Sequence, residues 1–199
     1  MSTVDTLEIV LYPHPVLRHK SKPLRRVDAD LRRTVDRMFE LMYEHRGVGL
    51  AANQVALPCR LFVANVTGDS DQRDAEMVFI NPVISGRKGS AVAEEGCLSL
   101  PEVVADVTRP ATITASAYNL AGEEFKFEVD GLLARVIQHE NDHLDGVMFT
   151  DHLSSTALME IRDEIECFEA DWASRQRQGE IADDATLAAD LRRLEAIWT

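Results

Sequence analysis

Apolar and polar positions divide the chain into segments of distinct period. From Asp28 onward, Leu31, Val35, Met38, Phe39 and Met42 recur at helical spacing. Asp28 or Asp30 is placed to cap that helix and Gly47 is a natural stop. The middle of the chain changes to short runs. Residues 60–66 and 77–80 are apolar segments, the first followed by Gly68 and the second by Asn81-Pro82. Residues 111–118 alternate, a turn follows over 119–123, and Phe125, Phe127 and Val129 alternate again, which predicts a β-hairpin. Gly131 then opens a second helix with a wide apolar face of Leu132, Leu133, Val136, Ile137 and Leu144, ended by Gly146. Strand runs that follow one another without intervening helices predict antiparallel sheets, hence an α+β fold.

The two flanks read differently. Pro13, Pro15 and Pro23 make residues 6–27 irregular. Beyond Leu153, residues Leu158, Ile161, Ile165, Phe168 and Trp172 step by three and four, predicting an amphipathic helix broken at Gly179. Asp183 or Asp184 then caps a further helix with Leu187, Leu191, Leu194 and Trp198 on one side. The pattern thus separates a main unit over 1–153 from a helical extension over 154–199.

Composition narrows the class of partner. A chain of 199 residues can bury a core without disulfide staples. Its 21 Lys and Arg against 34 Asp and Glu give a net charge of −13, which argues against wrapping nucleic acid or docking on an anionic membrane. The extension alone carries 11 acidic and 5 basic residues. No apolar run approaches a membrane span, and Met1 to Ile9 lacks the basic start and long apolar stretch of a secretion signal. Cys59, Cys97 and Cys167 are widely spaced and odd in number, which points to a reducing, cytoplasmic setting. Cys59 and Cys167 read as small buried hydrophobes.

The chemistry concentrates in three places. His139-Glu140-Asn141-Asp142-His143 lies on the second predicted helix. Imidazoles four residues apart sit one turn above each other, so both can reach one metal ion, and the intervening Glu stands where it can take a proton from bound water. A catalytic ion usually wants a third protein ligand. His14, His19, His45, His152, the cysteines and many carboxylates are available. Among them Cys97 stands out, because Glu94-Glu95-Gly96-Cys97-Leu98-Ser99-Leu100-Pro101 reads as a loop free to aim its sulfur. The third place is Gly47-Val48-Gly49-Leu50-Ala51-Ala52-Asn53-Gln54, too poor in glycine and lysine for a phosphate loop. Its small residues suit a wall for an extended peptide, with the Gln54 amide available to an oxyanion.

Taken together, residues 47–54, Glu95 to Ser99 and Gln138 to His143 resemble the three motifs of the peptide deformylase family, in that family's order. Tyr12-Pro-His-Pro-Val-Leu-Arg18 is similar to the family's opening, and the resemblance runs from about residue 7 to 153. It implies antiparallel sheets packed around a central helix that carries the His-Glu-x-x-His motif, to which the chain's own pattern adds the N-terminal helix and the C-terminal extension. It implies hydrolysis of the formyl group from the formyl-methionine of new polypeptides, releasing formate. Cys97, His139 and His143 would be the ligands of one divalent metal: iron(II) in the cell, with zinc, nickel or cobalt able to replace it. Glu140 would be the general acid/base for a metal-bound hydroxide. Gln54 and the backbone N–H of Leu98 would form the oxyanion hole, and Gly49 would bond the substrate backbone. Val48, Leu132 and Val136 match positions that line the methionine pocket, and Arg135 would stand at the pocket mouth or in a surface salt bridge. Glu95 and Arg109 resemble a pair that braces the metal loop. The partner implied is a nascent formyl-Met polypeptide, met close to the ribosome.

Two departures stand out. Val104 occupies a position where some members carry a substrate-rim arginine. Residues 154–199 are longer than the usual single final helix and too acidic to dock on ribosomal RNA, so their helices are candidates for covering the enzyme or pairing with a second chain. Two rival readings are a zincin-type metallopeptidase, which leaves Cys97 and Gln54 unexplained, and a non-catalytic metal-binding protein.

Overall fold

The computed structural model describes residues 7–199. The first residues of the N-terminal stretch judged unlike a secretion signal, Met1 to Thr6, lie outside the described residues. Helix α1 spans Ala29–Glu44 and is opened by Asp28, whose side chain accepts the Leu31 N–H at 2.9 Å. Its end differs from the expectation. Gly47 is not the stop: His45 caps the helix and Arg46 takes the left-handed backbone at φ 58°. Strands β1 (Gly49–Ala51), β2 (Leu61–Ala64), β3 (Met77–Lys88), β6 (Thr112–Tyr118) and β7 (Glu124–Asp130) form one antiparallel sheet in the order β1-β2-β3-β6-β7. The expected hairpin is β6–β7, paired from Thr112–Asp130 to Tyr118–Glu124.

The sheet is covered on both faces where it meets the site. Along β2 all four residues are buried, and their side chains alternate between two cores. Leu61 and Val63 pack with Leu31, Val35, Met38 and Met42 of α1. Phe62 and Ala64 face the other way, toward Ala134, Ile137 and Leu144 of helix α2 (Gly131–Leu144). Phe62 stacks on Phe79 at 4.4 Å between ring centres in this second core. A continuous apolar run in β2 is thus the signature of burial from both sides.

Two strand boundaries depart from the sequence expectation. Asn81-Pro82 does not end β3; the strand continues to Lys88 through a bulge at which Asn81 takes φ 53°. The irregularity is held from outside the sheet, because the Asn81 amide accepts the Leu24 N–H at 2.8 Å and donates to the Leu24 carbonyl at 2.9 Å. The segment around Cys97 is not a free loop. β4 (Ala91–Cys97) and β5 (Leu100–Arg109) form a separate two-stranded antiparallel sheet joined by a turn at Leu98-Ser99.

The C-terminal extension forms three helices: α3 (Ser155–Glu160), α4 (Arg162–Gln178) and α5 (Asp184–Trp198). Ile161 separates the first two, so the single helix expected up to Gly179 is divided. Gly179 and the Asp183 cap fall where expected. Ile161 packs with Leu100, Val103 and Phe149, flanked by Ile165 and Phe168. Only Leu191 of α5 is buried. Cys59 is buried as expected, but Cys167 is exposed: it lies on the solvent side of α4, one residue from the inward Phe168. Among the described residues no helix is long and apolar enough to cross a membrane.

The extension also rests on the N-terminal segment. The Trp172 ring meets His14 edge-on at 5.5 Å. Burial there pushes the His14 pKa from the ordinary 6.5 down to about 4. The unfolded chain therefore takes a proton near pH 6.5 that the folded chain refuses until about pH 4, so stability falls as pH drops through that window. His14→Asn, which keeps an acceptor for the Val16 N–H, is expected to flatten the fall when urea midpoints are compared between pH 7 and 4.5.

Candidate active site

Three elements converge on one cleft. Helix α2 crosses the sheet with its inward face polar in the last two turns, where Gln138, His139, Glu140, Asn141 and His143 are all buried. Gly146 ends the helix at φ 74°, and a Cβ there would lie 2.6 Å from the Arg18 carbonyl oxygen. From the second sheet, Cys97 arrives at the end of β4. The ligand atoms of Cys97, His139 and His143 lie within 4.8 Å of one another, a cluster that could hold a metal ion. Cys97 Sγ is 3.3 Å from His143 Nε2.

Orientation of the His139 imidazole comes from a buried carboxylate. Glu95 Oε2 stands 3.0 Å from His139 Nδ1. A carboxylate only accepts, so Nδ1 carries the hydrogen and Nε2 is left for the cluster. The same carboxylate accepts from Arg109 Nε at 2.6 Å and from one terminal Arg109 nitrogen at 2.9 Å, and from one arm of Arg135 at 2.6 Å. Burial alone would raise the Glu95 pKa, but hydrogen bonds from His139 and Arg109 and their charges outweigh it and hold the group well below the carboxylate range. Arg109 continues to Asp142 at 2.7 Å, and His152 closes on Asp142 at 2.7 Å. Glu95 and Arg109 are thus a buried pair, and Arg135 both lines the cleft and belongs to that network.

Glu140 sits at the cleft floor. Its Oε2 is buried without a hydrogen-bond partner, as is His143 Nδ1. Desolvation pushes the Glu140 pKa up to about 7, despite the opposing charges of His139 and Arg109. An unpartnered carboxylate oxygen beside a thiol and two imidazole nitrogens fits a cation, since a buried acceptor of this kind otherwise costs free energy. A sulfur with two nitrogens suits a borderline divalent transition metal. Gly49 makes room for Glu140: a Cβ at residue 49 would lie 2.5 Å from Glu140 Oε1.

Gln54 lies in the 3-10 turn Ala52–Val55, after β1. Its Oε1 accepts the Ala51 N–H at 2.9 Å, which fixes the amide so that Nε2 faces Cys97 Sγ at 3.4 Å and Ser99 Oγ at 3.3 Å. Leu98 lies at the β4–β5 turn. Around these groups is a cavity of about 730 Å³ whose lining includes Val48, Gly49, Gln54, Leu98, Leu132 and Val136. Leu132 remains 55% exposed, as a residue on an open pocket wall would. Val104 is exposed. The sequence reading missed Ser99 and Asp142 as polar partners, although both stand inside the quoted motifs.

An α+β frame in which a buried helix presents two imidazoles and a carboxylate beside a thiol, at the base of an open cleft, offers the ligand set that metal-using hydrolases employ. Comparison with known proteins gives the family. The sequence model of the Polypeptide deformylase family matches residues 6–158. A peptide deformylase of Rhodopirellula baltica is 48% identical over 193 residues, covering 97% of this chain and 96% of that protein. Among solved structures, a plant peptide deformylase 1B superposes with a TM-score of 0.83 at 37% identity, over 90% of this chain and 96% of that one. The peptide deformylase of Thermotoga maritima gives 0.70 at 41% identity, over 74% and 97%. The chain belongs to the polypeptide deformylase family, a family of metal-using hydrolases.

Two outcomes follow from this geometry. Arg109→Met removes the counter-charge of two carboxylates and is expected to cost about 3–5 kcal/mol of unfolding free energy, read by denaturant titration. Gly49→Ala drives the Glu140 carboxylate aside and is expected to lower hydrolytic turnover on the order of 10²-fold while the fold, followed by circular dichroism, persists.

Proposed function

We propose that this chain hydrolyses the formyl group from the N-terminal formyl-methionine of newly made polypeptides, releasing formate. The observation that carries this reading is the unpartnered Glu140 carboxylate beside the Cys97, His139 and His143 ligand atoms at the base of an apolar-walled cleft. Membership of the deformylase family supports the substrate. Cys97, His139 and His143 hold one divalent ion, iron(II) in the cell, with zinc, nickel or cobalt able to take its place. Bound there, the ion acts as a Lewis acid and brings the ionisation of water toward neutral pH.

The chain's own groups do the rest. Glu140, with a pKa raised toward neutrality, accepts the proton of the attacking water and returns it to the departing amine. The Gln54 Nε2 and the Leu98 N–H donate to the oxygen that gains charge as the formyl carbon becomes tetrahedral. Gly49 offers its backbone to the substrate as an added strand, a mode that needs no side chain. Val48, Leu132 and Val136 give the unbranched methionine side chain an apolar slot. The catalytic unit is 1–153, with 154–199 appended, and the cytoplasm is its place of action.

The test pairs anaerobic metal analysis with assay on a formyl-Met peptide. Glu140→Gln is expected to keep the ion and the fold while losing turnover by about 10²-fold or more. Cys97→Ala is expected to lose the ion. Cleavage of internal peptide bonds with the formyl group left intact would establish a peptidase instead, and unchanged chemistry in Glu140→Gln would remove the catalytic role.

A further inference from the structure

The reaction leaves the C-terminal extension without a task, yet its contacts lead toward the site. α5 lies over the 3-10 turn Pro15–Arg18, and Leu191 is buried with Val16, Leu17 and Met148. One turn further, Glu195 holds His19 Nε2 at 2.9 Å and Lys22 Nζ at 2.5 Å. The opposite side of that segment is gripped by Asn53. Its Nδ2 donates to the carbonyls of Val16 at 3.1 Å and His19 at 2.9 Å, and its Oδ1 accepts from Ser21 Oγ at 2.8 Å. Asn53 is fully buried and is the residue before Gln54.

Segment 15–22 is therefore a thin layer between α5 and the turn that carries Gln54. Its internal hydrogen bonding is one 3-10 turn; its far end is tied to the body, where the Ser21 N–H donates to the Leu144 carbonyl and the Lys22 carbonyl accepts the Arg60 N–H, both at 2.9 Å, and α5 and Asn53 hold the two faces of residues 16–19. α4 steadies the stretch of chain just before it. Tyr12 Oη donates to Glu169 at 2.8 Å, and the Tyr12 N–H donates to the Ser99 carbonyl at 2.8 Å. Ser99 Oγ in turn faces the Gln54 amide. The Val10 N–H donates to the Gln54 carbonyl at 2.8 Å. Gln54 is thus tied to the N-terminal segment directly through Val10 and, by way of Ser99, through Tyr12, while its neighbour Asn53 holds residues 16–21.

We propose that α5 is a positioning element for the oxyanion-hole amide: Leu191 and Glu195 clamp residues 15–22, which set Asn53 and through it Gln54. This rests on the reading of Gln54 given above. Leu191 and Glu195 touch no substrate, so their effect must run through Gln54 and vanish when Gln54 is removed. Fold stabilisation alone would act equally in either background.

The experiment is a double-mutant cycle in the full-length, metal-loaded enzyme. Leu191→Ala and Glu195→Gln are each made with Gln54 present and with Gln54→Ala. Formate release from a formyl-Met peptide gives kcat and KM, with bound metal quantified for each protein. With Gln54 present, either change is expected to lower kcat by about threefold to tenfold at constant KM and metal content. In the Gln54→Ala background both are expected to leave kcat unchanged, and Leu191→Met is expected to restore most of the loss. Equal fold-losses in the two backgrounds, or full kcat in both variants with Gln54 present, would overturn the proposal. If Leu191→Ala does not fold, Glu195→Gln, which keeps the side chain's size and removes only its charge, carries the cycle alone. A wild type that releases no formate would overturn the reaction itself, and full activity in Gln54→Ala would overturn the role of Gln54.

Discussion

Everything at the site leans on one buried carboxylate. Glu95 belongs to the small β4–β5 sheet, while His139 and Arg135 belong to α2, and Arg109 ends β5. A charge buried alone would cost several kcal/mol, and three cations or donors converge to offset it. That convergence couples two elements with little apolar contact between them. The hairpin carrying Cys97 can then stand off from α2, leaving a cleft, and still present its sulfur at a fixed distance from the imidazoles.

The second constraint is α2 itself. Its first turns bury Ala134 and Ile137 against Phe62 and Phe79, as any core helix would. Its last turns bury five polar side chains, four of them within the His139–His143 motif. The apolar half anchors the polar half at the cleft floor, where burial raises the Glu140 pKa. Stability and chemistry are thus divided along one helix axis and not between separate elements.

Local signals made the helices and the site motifs legible. Asp28, Gly146, Gly179 and Asp183 are capping and stop residues whose action depends on near neighbours, and all act where the spacing places them. The spacing of His139, Glu140 and His143 needs nothing beyond helix geometry. What escaped depends on distant partners. β4 carries Glu94, Glu95 and Gly96, residues with low strand preference, and becomes a strand only because β5 lies beside it. Pro82 reads as a strand breaker, yet β3 continues past it because Leu24, far away in sequence, holds the Asn81 amide. Cys167 reads as buried beside Ile165 and Phe168, but α4 packs through an edge and leaves it in solvent. Glu95 looks like a surface residue until Arg109 and Arg135 are brought to it.

The two sets of charged contacts differ in their access to water, and ionic strength will sort them. Glu95 and Arg109 each keep only 4% of their side-chain surface exposed, so mobile ions cannot enter between them. Lys22, which ties α5 to the N-terminal segment through Glu195, is 62% exposed. In concentrated brine the clamp at the edge of the molecule loses its electrostatic share while the hub at its centre keeps its own. Salt therefore thins the outermost tie of the extension, the one through Lys22, while the buried Leu191 contact and the imidazoles stay as they are.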